Sequence, residues 1–152
     1  MTKIDIMNLT IRPIIKSDYD EYMQMAKDFY SMPCCDHNVD SSHFENAFSY
    51  CLTENEYSKL FILECDSIIV GYGNISFTYS IEAGGNVIFL EELYIKQEYR
   101  NKGIGKKYFE FIHKNFPAKR YRLEVTRCNE KAIALYKSLG YEKLDYIQMI
   151  KE

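Results

Sequence analysis

Apolar and polar positions recur along this chain with periods that name most of its elements. Leu9 to Ile15 reads as a first strand, with Pro13 marking an edge or an end. Ser17 is the expected N-cap of a helix with Asp18, Asp20 and Glu21 in its first turn, and Tyr19, Tyr22, Met23, Ala26, Phe29 and Tyr30 give it helical spacing. After a polar connection with Pro33, a second helix begins near Ser41 or Ser42 and carries Phe44, Ala47, Phe48 and Cys51. Lys59 to Cys65 and Ile68 to Tyr79 read as a hairpin closed by Asp66-Ser67. Ala83-Gly84-Gly85-Asn86 is a further turn, and Val87 to Ile95 the strand that leaves it.

The second half alternates helix and strand. Ile104, Tyr108, Phe111 and Ile112 form the stripe of a third helix, which Phe116-Pro117 ends. Tyr121, Leu123 and Val125 alternate as a strand does. Asn129 opens a last helix with Ala132, Leu135, Tyr136 and Leu139 on one face, and Gly140 suits the position just past its end. Tyr141 to Ile150 reads as one or two closing strands. The order β-α-α-β-β-β-α-β-α-β is an α/β fold on a mixed sheet, and 152 residues without a Pro/Gly/Ser-rich linker predict one domain over 1–152.

Composition narrows the class. With 19 basic and 22 acidic residues the net charge is −3, which argues against a general nucleic-acid partner. No apolar run reaches membrane-spanning length and no secretory leader is visible, so the expected setting is the cytoplasm, with no membrane partner. Five cysteines, an odd number without regular spacing, do not read as a disulfide framework. Cys34-Cys35-Asp36-His37, with His43 nearby, invites a metal reading; adjacent cysteines fit one tetrahedral ion poorly and no second ligand pair exists, so no metal is expected and the segment reads as a loop. Cys128 reads as a packing residue.

The chemistry concentrates in one stretch. The strand Leu90-Glu91-Glu92-Leu93-Tyr94-Ile95 runs through a polar turn into Arg100-Asn101-Lys102-Gly103-Ile104-Gly105-Lys106 and a helix. A helix start presents unpaired N–H groups and partial positive charge, which suit a phosphate. Gly103 and Gly105 let a bulky anion approach the main chain, and Arg100, Lys102 and Lys106 add positive charge. The P-loop pattern is absent.

These residues resemble the acetyl-coenzyme A signature of the GNAT-type N-acetyltransferase family, Q/R-x-x-G-x-G/A after a central strand. Asn129-Glu130-Lys131-Ala132-Ile133-Ala134-Leu135-Tyr136-Lys137-Ser138-Leu139-Gly140-Tyr141 is similar to the family's late N-x-x-A-x-x-x-Y-x-x-x-G-F/Y block. The resemblance implies a mixed central sheet of about six to seven strands, splayed in the middle and flanked by about four helices. It implies acetyl-CoA as co-substrate and no metal. Leu93, Tyr94 and Ile95 would lie along the pantetheine arm, with the main chain of Leu93 and Ile95 bonding it. Arg100, Asn101, Lys102, Gly103, Ile104, Gly105 and Lys106 would hold the pyrophosphate, and Asn129 would reach the cofactor from the other side.

Acetyl transfer to an amine needs a neutral nucleophile, a stabilised oxyanion in the tetrahedral intermediate and a protonated or hydrogen-bonded leaving thiolate. Glu91 is the candidate general base, acting through a water. Strict alternation puts it on one face with Leu93 and Ile95, and Glu92 and Tyr94 on the other, unless a bulge swaps the register. Glu92 is the lesser candidate for the same proton transfer; alternatively the two glutamates form salt bridges or recognise a cationic acceptor. Tyr136 is the candidate acid: a phenol near pKa 10 stays protonated at neutral pH and donates to a thiolate. A main-chain N–H near Leu93 is the expected oxyanion donor, a contact worth about 3–4 kcal/mol of barrier. The function implied is transfer to a small-molecule primary amine. The alternatives are a lysine or N-terminal peptide acetyltransferase and a non-catalytic acyl-CoA sensor. The resemblance leaves a homodimer open.

Overall fold

The computed structural model describes residues 8–33 and 38–152. Its elements run β1 (Leu9–Pro13), α1 (Tyr19–Tyr30), α2 (Ser41–Cys51), β2 (Ser58–Cys65), β3 (Ile68–Ser80), β4 (Gly85–Ile95), α3 (Ile104–Asn115), β5 (Arg120–Leu123) and α4 (Glu130–Ser138). The strands form one sheet in the order β1-β2-β3-β4-β5. The first three pairings are antiparallel and β4–β5 is parallel, so the sheet is mixed.

Each face of the sheet carries its own core, because β2 alternates strictly. Leu60 and Ile62 point to one side, where Tyr22, Met25 and Ala26 of α1 and Phe44 and Phe48 of α2 cover them. Phe61, Leu63 and Cys65 point to the other, against Ile104, Tyr108, Phe109 and Ile112 of α3. Tyr136 and Leu139 of α4 extend that second core. Burial of each such side chain contributes about 1.5–3 kcal/mol.

Several local expectations meet a different arrangement. The N-cap of α1 is Asp18, not Ser17, after a 3₁₀ turn over Lys16–Asp18. Asp18 is 3% exposed; both its oxygens accept from Arg12, at 2.8 and 2.9 Å, and one accepts the Ile15 N–H. Arg12 also bonds Glu64 at 2.7 Å, so one guanidinium joins β1, β2 and the entry to α1. Burial alone would push the Asp18 carboxyl up, but Arg12 and the Ile15 amide hold it below its ordinary value.

The larger correction concerns the C-terminus. β5 stops at Leu123, short of Val125, and residues 141–152 form neither helix nor strand. The sheet therefore has five strands among the described residues, against an expected six or seven. The closing segment has strand-like composition; its Tyr141 packs on the α3-side core, but the residues after it are exposed, Ile147 at 93% and Met149 at 90%.

Candidate active site

The site grows from one irregularity in β4. Asn74 pairs with Glu92 and Ile75 with Leu90, so Glu91 is an extra residue opposite no partner, a β-bulge. Before it, Ile88 and Leu90 point into the α3-side core; after it, Leu93 and Ile95 do. The bulge lets strand and core keep faith across a change of parity. It also changes what adjoins what. Ser76, which alternates away from Ile75 and Phe77 of the α3-side core, donates to Glu91 at 2.5 Å. Glu91 thus lies, exposed, on the α1/α2 side with Glu92, and not with Leu93 and Ile95 as strict alternation predicts.

The same position ends the sheet's continuity. β5 pairs with β4 only from Val87–Arg120 to Leu90–Leu123. From Glu91 to Ile95 the outer edge of β4 has no strand beside it among the described residues. A gap opens there, with α4 across it: Leu135 Cδ2 would stand 3.4 Å from a Cβ on Gly105, and Leu93 and Ile95 side chains at 3.8 Å.

At the far end of that open edge is the turn into α3. Asn101 (φ 59°) and Gly103 (φ 81°) both adopt the left-handed conformation, and a Cβ on Gly103 would meet nothing within 4 Å. No side chain caps α3, and the amides of Asn101 to Lys106 make no main-chain hydrogen bond among the described residues. Six donors without main-chain partners at a helix start suit a diphosphate. Lys102 and Lys106 are exposed beside them, the Lys102 ammonium 5.4 Å from the Tyr99 ring centre. Arg100 turns back: its Nε donates to the Ile95 carbonyl at 2.7 Å and its guanidinium lies 5.6 Å from the Tyr94 ring centre. It braces the cradle against the strand end.

On the α1/α2 side, a cavity of about 280 Å³ lies between the helices and the sheet. Glu92 lines it, with Tyr22, Tyr30, Phe44, Asn74 and His43. Tyr30 and Tyr72 both donate to Glu92, the latter at 3.1 Å. Burial pushes the Glu92 carboxyl above its ordinary value; the two phenols pull against that, and Glu91 adds to it. Among the described residues Glu92 is the only carboxylate in the lining and no lysine or arginine joins it, a lining that suits a cation. Tyr72 and Asn74 carried no sequence signal as site residues, for they stand on β3, far along the chain from Tyr30 of α1 and His43 of α2.

The remaining candidates lie on or near α4. Asn129 is the N-cap, its Oδ1 accepting the Ala132 N–H at 3.3 Å. Tyr136 is half-buried, its ring 5.4 Å from Phe109 and 6.2 Å from Tyr141, and burial raises its pKa. A raised phenol holds its proton more firmly, which suits hydrogen bonding over full transfer. Cys128, expected to pack, is exposed and its sulfur is engaged in a disulfide. The Cys34-Cys35-Asp36-His37 segment lies outside the described residues, among which no cluster of three metal-ligating side chains occurs.

A strand bulged at Glu91, an open edge beyond it and a row of unpaired amides at its end lie together on one side of the sheet. The chain matches the acetyltransferase (GNAT) family over residues 19–141, and it belongs to that family. It is 33% identical over 145 residues to thialysine N-epsilon-acetyltransferase of Mus musculus, covering 88% of this chain and 84% of that one. The Sus scrofa protein of the same name is 38% identical over 108 residues, 66% of this chain and 59% of its own. A possible acetyltransferase from Clostridium difficile 630 superposes with a TM-score of 0.79 at 23% identity, covering 95% of this chain and 97% of that one. Aminoglycoside N-acetyltransferase AAC(6')-Iy, in complex with CoA, does so with a TM-score of 0.78 at 15% identity, covering 95% and 94%. The chain is accordingly an acetyl-CoA-dependent N-acetyltransferase. No helix among the described residues is long and apolar enough to cross a membrane.

Proposed function

We propose that this protein is a cytoplasmic enzyme that acetylates a small primary amine carrying positive charge. The observation that supports it most is the meeting at β4 of an open strand edge with a cavity whose one carboxylate among the described residues is Glu92. Acetyl-CoA would supply the thioester. The amides of Asn101, Lys102, Gly103, Ile104, Gly105 and Lys106 would hold its diphosphate, with Lys102 and Lys106 adding charge and Arg100 bracing the turn. The unpaired edge at Leu93, Tyr94 and Ile95 would receive the pantetheine arm, and Asn129 would approach from the α4 side.

Division of labour between the two glutamates follows from the bulge. Glu92, half-buried and fixed by two phenols, would hold an ammonium group in the cavity. Glu91, exposed at the bulge, would accept the proton of the attacking amine through water. A main-chain N–H at Leu93 would stabilise the oxyanion, and Tyr136 would hydrogen-bond the departing thiolate. The sulfur-containing amino acid named for the Mus musculus relative supports a small acceptor over a protein one.

The test is thiol release from acetyl-CoA across a panel of diamines, basic amino acids, aminoglycosides and lysine peptides. A small cationic amine should turn over best. Glu92→Gln should raise the KM for that amine about 10- to 100-fold, the range of one charge-assisted hydrogen bond, and leave the KM for acetyl-CoA unchanged. Turnover of peptides alone, or of no amine, would overturn the reading.

A further inference from the structure

We propose that Arg122 binds a carboxylate of the acceptor, so that the amine this protein acetylates belongs to a free basic amino acid and not to a diamine, a polyamine or an aminoglycoside. The inference rests on the small-amine reading above and narrows it. Arg122 is half-buried on β5, and its guanidinium makes no hydrogen bond or ion pair among the described residues. By contrast, Arg12 is engaged by Asp18 and Glu64, Arg100 by the Ile95 carbonyl and Arg120 by Glu82. Arg122 has the Phe89 ring, whose centre lies 5.6 Å from its Cζ. A planar cation with five N–H donors, steadied on an aromatic face and lacking an acceptor, suits a planar anion with two oxygens.

The register puts that guanidinium next to the acceptor cavity. Arg122 pairs with Phe89 of β4, and Phe89 with Ser76 of β3. Ile88 and Leu90 face the α3-side core, so Phe89 and Arg122 face the α1/α2 side. Ser76 shares their row, and its hydroxyl donates to Glu91. Across the bulge the next row on this face holds Asn74 and Glu92, both in the cavity lining. One face of the sheet thus presents Arg122, then Glu91, then Glu92. The diphosphate cradle stands beyond the opposite end of β4: about 20 Å of strand separates Phe89 from Ile95, so Arg122 has no part in holding the acyl donor.

This order of charges discriminates among amines. A diamine would leave the guanidinium unpaired, and a polyamine or an aminoglycoside would bring a further cation toward it. A lysine inside a peptide carries an amide where the free amino acid has its carboxylate. A free basic amino acid meets every group, with its carboxylate on Arg122 and its nitrogens at Glu91 and Glu92. The reach agrees. Phe89 and Glu92 are separated by about 10 Å of strand, and an extended basic amino acid with a hydrogen bond at each end reaches about 13 Å.

The test follows thiol release from acetyl-CoA with lysine, lysinamide and 1,5-diaminopentane, which offer the same terminal amine with a carboxylate, with an amide and with neither. For the wild-type enzyme lysine should have the highest kcat/KM, by about 10- to 100-fold, the range of one charge-assisted pair. Arg122→Gln should raise the KM for lysine by that factor, hold kcat and the KM for acetyl-CoA within about twofold, and erase the preference. Arg122→Lys, which keeps the charge and loses the fork, should fall between the two. Arg122→Glu should invert the order and make 1,5-diaminopentane the best of the three. Equal efficiency of wild type toward lysine and its amide, or an Arg122→Gln loss of the same size for all three amines, would overturn the inference and leave transfer to a small amine standing. Acetylation of peptides alone, or of no amine, would overturn the small-amine reading and this inference with it.

Discussion

Tyr108 and Gly73 make the sharpest quantitative prediction. The Tyr108 ring lies wholly buried on the α3 side of the sheet, over Gly73, which pairs with Phe61 of β2 and Leu93 of β4. Its hydroxyl is buried without a hydrogen-bond partner among the described residues. An unsatisfied buried hydroxyl costs about 1–3 kcal/mol, so Tyr108→Phe should stabilise the fold by about 1–2 kcal/mol. In a domain of this size that raises the melting temperature by about 2–8 °C. Burial pushes the phenol's pKa far up, so the gain should be the same at pH 6 and pH 9. Gly73→Ala works the other way. Its new Cβ would lie 2.3 Å from Tyr108 Cζ and 2.4 Å from the hydroxyl oxygen, against a ring with nowhere to go. The cost of such overpacking is about 1–3 kcal/mol. Tyr108→Leu in the same chain should recover part of it, giving a coupling energy of at least about 1 kcal/mol in a double-mutant cycle. Urea denaturation of wild type, Tyr108→Phe and the other three members of the Gly73→Ala/Tyr108→Leu cycle measures all these terms. A Tyr108→Phe variant less stable than wild type would refute the reasoning, because the hydroxyl would then be contributing a bond.

Four further variants test the ion triad and the site. Asp18→Asn should destabilise by about 3 kcal/mol by leaving Arg12 short of its buried partner. Because the Asp18 carboxyl is held below its ordinary value, the pair's contribution is complete above about pH 5 and fades as the solution is acidified through the folded-state pKa; denaturation curves should show wild type and variant converging there. Gly103→Ala should cost about 1 kcal/mol for its left-handed backbone alone, whereas Gly103→Glu should also weaken acetyl-CoA binding at least about tenfold by calorimetry; equal affinities would remove the cradle from the site. Tyr136→Phe should lower kcat while leaving acetyl-CoA affinity within about twofold, and an unchanged kcat would exclude the hydroxyl from the reaction.

What the sequence disclosed was local. Asp66-Ser67 closes its hairpin with both residues at positive φ, Gly103 and Gly140 take the left-handed turns their positions imply, and Ile104, Tyr108 and Ile112 are buried as their spacing predicts. Each depends on neighbours a few residues away. The bulge at Glu91 did not announce itself, because Leu90 to Ile95 is compatible with an unbroken strand and only pairing with β3 exposes the extra residue. Glu92 likewise looked like either of two adjacent carboxylates until Tyr30 and Tyr72 arrived from elsewhere in the chain. Asp18 was a first-turn acid by sequence and a buried ion-pair partner in space. The closing strands failed for a related reason: strand-like composition names a propensity, whereas a strand needs an edge to pair with.

The sheet keeps its two sides chemically separate. Everything that would grip the thioester donor belongs to α3, α4 and the edge of β4, while the walls around Glu92 come from α1, α2 and the facing residues of β2 and β3. Exchanging the segment 19–51 for that of another acetyltransferase should therefore retune which amine is chosen without disturbing how the acyl donor is held, a route by which one scaffold acquires new customers while its supply line stays as it is.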